Sequence, residues 1–307
     1  MISAEIFLEW HRTVTHSIVV SVMVGGVLAA TYSFVSHEQF GGEFEGKTPA
    51  GMPALQKTPR LAFFVAVILA GLLHLGLDAA QSSGTMIFWP VTRQRVALDW
   101  LPRVDPWIIA ILLAALLLPE LTRLVSDEIG AKSKAPTGRI GAIVGLVILA
   151  LYVGWRADLH SSAIAILQNR SYDTGSPRRV AAYPEAGSLF EWQGMVETVR
   201  ALHQPIVNVL AGTGFDPNED MTQFKPEPSA ILDQAQQSRA AKRFLTVAAF
   251  PKAGVVKTAE GYEVEIRDLR YAAIGEGKQE VEAQIELDGN GKLLNDLLVW
   301  ASDVKRR

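Results

Sequence analysis

Four stretches of this chain are almost wholly apolar and carry charge only near their borders: residues 17–36 (SIVVSVMVGGVLAATYSFVS), 61–77 (LAFFVAVILAGLLHLGL), 106–122 (PWIIAILLAALLLPELT) and 140–155 (IGAIVGLVILALYVGW). A helix rises about 1.5 Å per residue, so ~17 to 20 residues just cross a hydrocarbon core of ~30 Å. Each run is therefore predicted to be a transmembrane helix. Four such runs are hard to place in the core of one soluble protein, where apolar surface of that extent would stay uncovered. The first run is too long for the apolar region of a signal peptide and is followed by HEQFGGEFEG without a small-residue cleavage pattern, so it is expected to remain in the mature chain. An even number of crossings returns the chain to its starting face, which puts the N-terminal segment and whatever follows the fourth run on one side. Lysine and arginine divide almost evenly between the two sets of loops, so the positive-inside rule sets no orientation.

Beyond Trp155 the pattern changes. GYEVEIRDLRYAAI alternates Tyr262, Val264 and Ile266 against Glu263, Glu265 and Arg267, and EVEAQIELDGNGKL alternates Val281, Ala283, Ile285 and Leu287 before the turn signal DGNG. Both read as half-buried antiparallel strands. SLFEWQGMVETV, QPIVNVLAG and RFLTVAAFP suggest further short strands, and PSAILDQAQQSRAAKRFL has helical spacing. The predicted architecture is an α-helical membrane bundle of four transmembrane helices over residues 1–156, followed by a C-terminal soluble α+β domain over residues 157–307.

Composition agrees with a membrane protein carrying a soluble part: of 307 residues 49% are hydrophobic and 20% charged, with a mean hydropathy of +0.18. The net charge of −3 and the scattered arginines argue against nucleic acid as a partner. There is no cysteine, which excludes disulfides, thiolate nucleophiles and sulfur-ligated zinc together; any metal must be held by nitrogen and oxygen.

The candidate chemistry gathers where the first apolar run begins, in EWHRTVTHSIVV (residues 9–20), and where the second ends. His74 and Asp78 in LLHLGLDAAQSSG are four residues apart, which on a helix sets imidazole and carboxylate on one face, close enough to share a cation or to hydrogen-bond each other. Ionisable groups at membrane depth are costly and normally face a protein or water-filled interior. The first two runs are antiparallel, so His11, His16, His74 and Asp78 can converge at one membrane face. His11 and His16 are separated by about 140° of helical rotation, which places His11 in the approach to the helix and His16 in its first turn. Arg12 offers a fork for an anion, and Arg93 lies on the same side. His37 falls at the far end of the first run and is expected in a solvated loop; His160 and His203 lack a carboxylate at ligand spacing and are expected to be structural.

HRTVTHS followed by HLGLDAAQSSGTMIFWP resembles the YdjM family of multi-pass inner-membrane proteins, described as membrane-bound metal-dependent hydrolases, and GYEVEIRDLRY is similar to the tail of its longer members. The resemblance implies location in the cell inner membrane and a divalent metal, foremost zinc, at His11, His16, His74 and Asp78. HLGLD is also similar, more distantly, to zinc-dependent phospholipase C. Family members usually open with a D-x-x-T-H helix and a Pro-Asp-x-Asp segment, whereas this chain begins ten residues before His11, so either the start is misplaced or truncated, or this member is degenerate and its site lacks the family's N-terminal carboxylates. The leading expectation is an integral membrane hydrolase of an ester or phosphoester near the membrane surface, with Asp78 as ligand or base and Arg12 and Arg93 as anion clamps for a lipid or other anionic substrate. The alternative is a non-catalytic membrane protein in which the His–Asp cluster is structural and the tail binds a partner. Transport through a His–Asp relay is less well matched, because the polar residues lie at one face and none continues across.

Overall fold

The computed structural model describes residues 16–40, 60–128, 137–211, 220–273 and 281–301. The chain divides into two compact units, Glu9–Leu98 and Asp99–Arg307.

In the first unit two helices pair, α1 (Ile18–Phe40) and α2 (Arg60–Ala80). Ser17 caps α1: its hydroxyl accepts the Val20 amide at 3.3 Å, satisfying one of the donors that a helix start leaves open. The two helices meet through small residues. A Cβ placed on Gly25 would sit 3.4 Å from Ile68 and 3.5 Å from Val67, and one on Gly71 would sit 3.5 Å from Ser21, which is the close backbone approach that drives association where the hydrophobic effect is absent.

The second unit opens with α3 (Pro106–Glu128) and α4 (Thr137–Gln168). Asp105 caps α3 through the amides of Trp107 at 2.9 Å and Ile108 at 3.3 Å, while its other oxygen accepts the Tyr152 hydroxyl at 2.8 Å, joining the start of α3 to α4. Packing between these helices is tighter still: Cβ atoms on Gly141 and Gly145 would lie 2.3 Å from Pro119 and 2.4 Å from Ala115. Leu112, Leu113, Leu116, Leu117 and Leu121 on α3, with Ile143, Val147 and Leu151 on α4, are exposed, as lipid-facing side chains must be.

Among the described residues three helices are long and apolar enough to cross a membrane, within Phe63–Ala80, Pro106–Val125 and Gly138–Gln168; in α1 the corresponding apolar stretch is shorter, Ile18–Leu28. The fourth expected run does not stop at Trp155. Helix α4 continues for 32 residues, about 48 Å, and its last turns bury Leu159, Ala163 and Leu167 under a sheet.

That sheet has β1 (Arg179–Pro184), β2 (Glu191–Glu197), β3 (Ala201–Gln204), β4 (Ile206–Asn208) and β5 (Met221–Phe224), ordered β1-β2-β3-β5 with β4 also on β2, all pairs antiparallel. Ala182, Trp192, Val196 and Val207 meet α4 there. Arg156, 1% exposed, lies beside this core: its Nε donates to Trp100 O at 3.2 Å, its Nη1 to Leu189 O, and its guanidinium stands 4.4 Å from the Trp192 ring. A second sheet is an antiparallel meander, β6 (Pro251–Lys257), β7 (Gly261–Asp268), β8 (Val281–Asp288) and β9 (Leu293–Trp300). Val264, Ile266, Ala283, Ile285 and Leu287 pack under α5 (Ala230–Gln236) and α6 (Arg239–Leu245), and a one-turn helix, α7 (Arg270–Ala273), follows β7.

The alternating segments around Val264 and Ile285 are strands as expected, as are the centres of SLFEWQGMVETV and QPIVNVLAG. RFLTVAAFP is not a strand: Arg243–Leu245 closes α6 and extended structure resumes only at Pro251. The helical stretch before it breaks in two because Ser238 caps a new helix through the Ala241 amide. His37 stands within α1 rather than in a loop.

The close approach of α3 to α4 yields a prediction. Gly145→Val should lower the apparent melting temperature in detergent, at a cost of about 1–3 kcal/mol for overpacking. Gly154→Ala, on the same helix with nothing within 4 Å of its Cβ position, should not. Equal melting temperatures for Gly145→Val and wild type would show that the helices separate freely.

Candidate metal centre

Helix α2 carries His74 and Asp78 one turn apart near its C-terminal end, and the chain then folds back on itself. Thr85 and Val96 exchange backbone hydrogen bonds at 3.0 and 2.9 Å, and the Leu98 amide donates to Ala79 O at 2.8 Å, so residues 81–98 form a closed loop. Gly84 makes the turn possible. Its φ is +67°, and a side chain there would also press on Ala97 and Val96 at 3.1 and 3.3 Å.

The loop holds the start of α1 against the end of α2. Thr85, fully buried, donates its hydroxyl to His16 O at 3.1 Å, and the Ile18 amide donates to Ile87 O at 3.1 Å. His16 is thus fixed from both sides, and its ring faces the end of α2. His16 Nε2 lies 3.6 Å and His74 Nε2 3.5 Å from the same oxygen, Asp78 Oδ2, and the imidazole centroids are 5.7 Å apart.

These three side chains could hold a metal ion: one ligand atom from each lies within 4.8 Å of the others. Ligand bonds of ~2.1 Å in a tetrahedral shell put neighbouring donor atoms about 3.4 Å apart. The two histidine–carboxylate edges already approach that spacing. Asp78 supplies the physical test of fit. It is 6% exposed, and its Oδ2 is buried yet accepts no hydrogen bond from the described residues, an unmet acceptor that a cation or a further donor would satisfy. Two imidazoles and one carboxylate are the donor set of open three-ligand zinc sites and suit other divalent first-row metals.

Of the residues expected at the site, the structure brings His16, His74 and Asp78 together. His11 and Arg12 lie outside the described residues. Arg93 is exposed on the loop beyond Trp89. The sequence reading missed parts that position the ligands: the Thr85 bond to His16 and the Thr85–Val96 pair. Only QSSGT, with its serine, glycine and threonine turn chemistry, hinted at a tight return. Ser82, four residues after Asp78, is 5% exposed, its hydroxyl has no partner among the described residues, and it was likewise not foreseen.

His203 also acquires a carboxylate, from 17 residues away. Its Nδ1 lies 2.9 Å from Asp220 Oδ2 and 3.0 Å from the Thr222 hydroxyl, and its Nε2 lies 2.6 Å from the Thr174 hydroxyl. His160 is half-buried against Trp192, with ring centroids 5.5 Å apart.

Apolar helices of membrane length and a histidine–aspartate cluster at a helix end define a multi-span membrane protein with a candidate nitrogen–oxygen metal site. The chain belongs to the YdjM inner membrane protein family, whose model matches residues 2–161, and it is an inner-membrane protein. No curated protein and no solved structure matches it.

The cluster predicts stoichiometry. Protein purified in detergent and dialysed against zinc should retain about one ion per chain, and His74→Ala or Asp78→Asn should release it, since losing one ligand of three or four breaks the coordination. Elemental analysis checks this; unchanged metal content in both variants would exclude the cluster as the site.

Proposed function

We propose that this protein is a membrane-bound metal-dependent hydrolase acting on an ester or phosphoester at the membrane surface. The observation that carries the reading is the buried Asp78 Oδ2, which has no hydrogen-bond partner among the described residues, with two imidazole nitrogens at 3.5 and 3.6 Å. His16, His74 and Asp78 would hold the ion, with His11 as a further ligand from the approach to α1. Zinc bound there would act as a Lewis acid on an ester oxygen and make water nucleophilic near neutral pH. In this reading α1 is the fourth span, and the site sits where α1 begins and α2 ends.

The chain's own residues supply the rest. Asp78, if not committed wholly to the metal, accepts a proton from water through its second oxygen. Arg12 and Arg93 bind the anionic part of the substrate through guanidinium N–H groups, matching the geometry of a phosphoester. One observation favours a second reading, a non-catalytic metal or His–Asp clasp: the same three residues connect the start of α1 to the end of α2.

Hydrolysis of aryl phosphoesters and carboxylic esters by the purified chain separates the two. On the hydrolase reading, chelation abolishes turnover and zinc restores it, and His74→Ala loses metal and activity together. Arg12→Ala and Arg93→Ala should keep the metal while turnover of an anionic ester falls by a factor on the order of 10², the loss expected for one transition-state contact. Metal binding without hydrolysis of any such ester would leave the clasp as the better account.

A further inference from the structure

The loop that closes over the cluster has its apolar residues on the outside. Phe88 is 53% and Val91 91% exposed, at the tip of a tight turn in which the amides of Val91 and Thr92 donate to Phe88 O at 2.9 and 3.2 Å. Pro90 suits a turn, but its neighbours are not the small polar residues of turns that face water: this one presents FWPV and is followed, after Thr92, by exposed Arg93 and Gln94. An aromatic and aliphatic tip backed by a cationic rim is the pattern of a segment lying at a membrane–water interface.

Its surroundings say what covers it. The loop is fixed by the Ile18–Ile87 backbone bond, the Thr85–Val96 pair and the Thr85 bond to His16, so it is part of the frame that holds the ligands. Ile18, Val19 and Val22 at the start of α1, and Leu72 and Leu73 near the end of α2, are also exposed. The uncovered apolar surface of the loop is therefore continuous with the end of the helix pair, whose α2 is long and apolar enough to cross a bilayer.

We propose that residues 87–92 dock in the lipid leaflet and set the His16–His74–Asp78 cluster at headgroup depth, so that the substrate is a bilayer-resident anionic lipid rather than a soluble ester. The substrate half of this rests on the hydrolase reading; the docking half does not. Phe88 and Val91 enter the acyl region, Arg93 stays at the phosphates, and a lipid held in the leaflet presents its headgroup ester to the open side of the cluster, where the His74 side chain is 66% exposed. A lipid substrate then need not leave the bilayer to reach the site, and an ester of the same headgroup dissolved in water lacks that delivery.

The chain has no cysteine, so a single thiol can be labelled without background. Val91→Cys, carrying a nitrobenzoxadiazole dye and reconstituted in phosphatidylcholine–phosphatidylglycerol vesicles, should emit at short wavelength, be quenched by shallow lipid nitroxides and be protected from aqueous iodide. Asn290→Cys, on an exposed turn between β8 and β9, provides the water-facing reference. Iodide quenching of Val91→Cys equal to that reference overturns the docking. So does protection from both quenchers, which would mean that protein covers the loop.

The substrate is tested with Phe88→Ser/Val91→Ser. Hydrolysis of phosphatidylglycerol in vesicles should fall on the order of tenfold or more, as apolar anchoring is lost, while a water-soluble short-chain phosphoester and the metal content are unaffected. Equal loss on both substrates, or no loss on either, overturns the lipid assignment. If wild-type protein hydrolyses neither, the substrate half falls with the hydrolase reading, and the quenching result still decides whether the loop is in the leaflet.

Discussion

A carboxylate removed from water has to be met by a cation, a donor or a proton, and its desolvation otherwise costs several kcal/mol. Asp78 imposes that constraint on the first unit. It occupies a buried position at the end of an apolar helix, with one oxygen facing two imidazoles that stand about half an ångström beyond good hydrogen-bonding distance. The local architecture can be derived from it. His74 is supplied by helical spacing, one turn earlier. His16 has to be brought from far along the chain, and this is the task of the Ser17 cap, the Thr85 hydroxyl and the return loop through Gly84. Breaking any of them would let the start of α1 move away from the end of α2 and leave the carboxylate with a single neighbour.

The helix contacts serve the same end by a different force. In a bilayer, apolar side chains gain nothing by leaving lipid for one another, so helices associate where backbones approach closely. Gly25 and Gly71, facing Val67, Ile68 and Ser21, let α1 and α2 approach closely in mid-helix. A histidine on one helix can reach a carboxylate on the other only when the axes lie this close. Precision at the cluster therefore depends on residues that have no polar chemistry at all.

What was legible in the sequence follows from the range of each signal. Apolar length and the four-residue spacing of His74 and Asp78 are local, and antiparallel return of consecutive spans is forced, so three of the proposed ligands could be placed together beforehand. Alternation gave β7 and β8, where one face is buried and the other polar. It failed at RFLTVAAFP, whose apolar residues suit a strand but whose first three belong to a helix capped at Ser238; a short apolar run fits either period. It also failed at the end of α4, where the residues after Trp155 lose hydropathy and yet stay helical, because Leu159, Ala163 and Leu167 recur on one face and bury under β2. The return loop was illegible for another reason: its hydrogen bonds run between backbone groups and across 69 residues in the case of Thr85 and His16, and no periodicity encodes them.

The two histidine–aspartate groupings among the described residues show why burial of such a pair does not by itself indicate a metal. At His203 every group has a partner: Nδ1 meets Asp220 at 2.9 Å, Nε2 meets Thr174 at 2.6 Å, and the second carboxylate oxygen accepts the Gln204 amide at 3.1 Å. A cation there would have to displace bonds already made, and this closed network instead ties β3 to the segment leading into β5. At Asp78 the order is reversed. The buried oxygen accepts no hydrogen bond from the described residues, two aromatic nitrogens face it at 3.5 and 3.6 Å, and one of them belongs to a largely exposed ring. Unmet acceptor capacity at short range, with an exposed neighbour, is what a divalent ion can satisfy without dismantling anything; the same residue types in the satisfied arrangement leave it nothing to do.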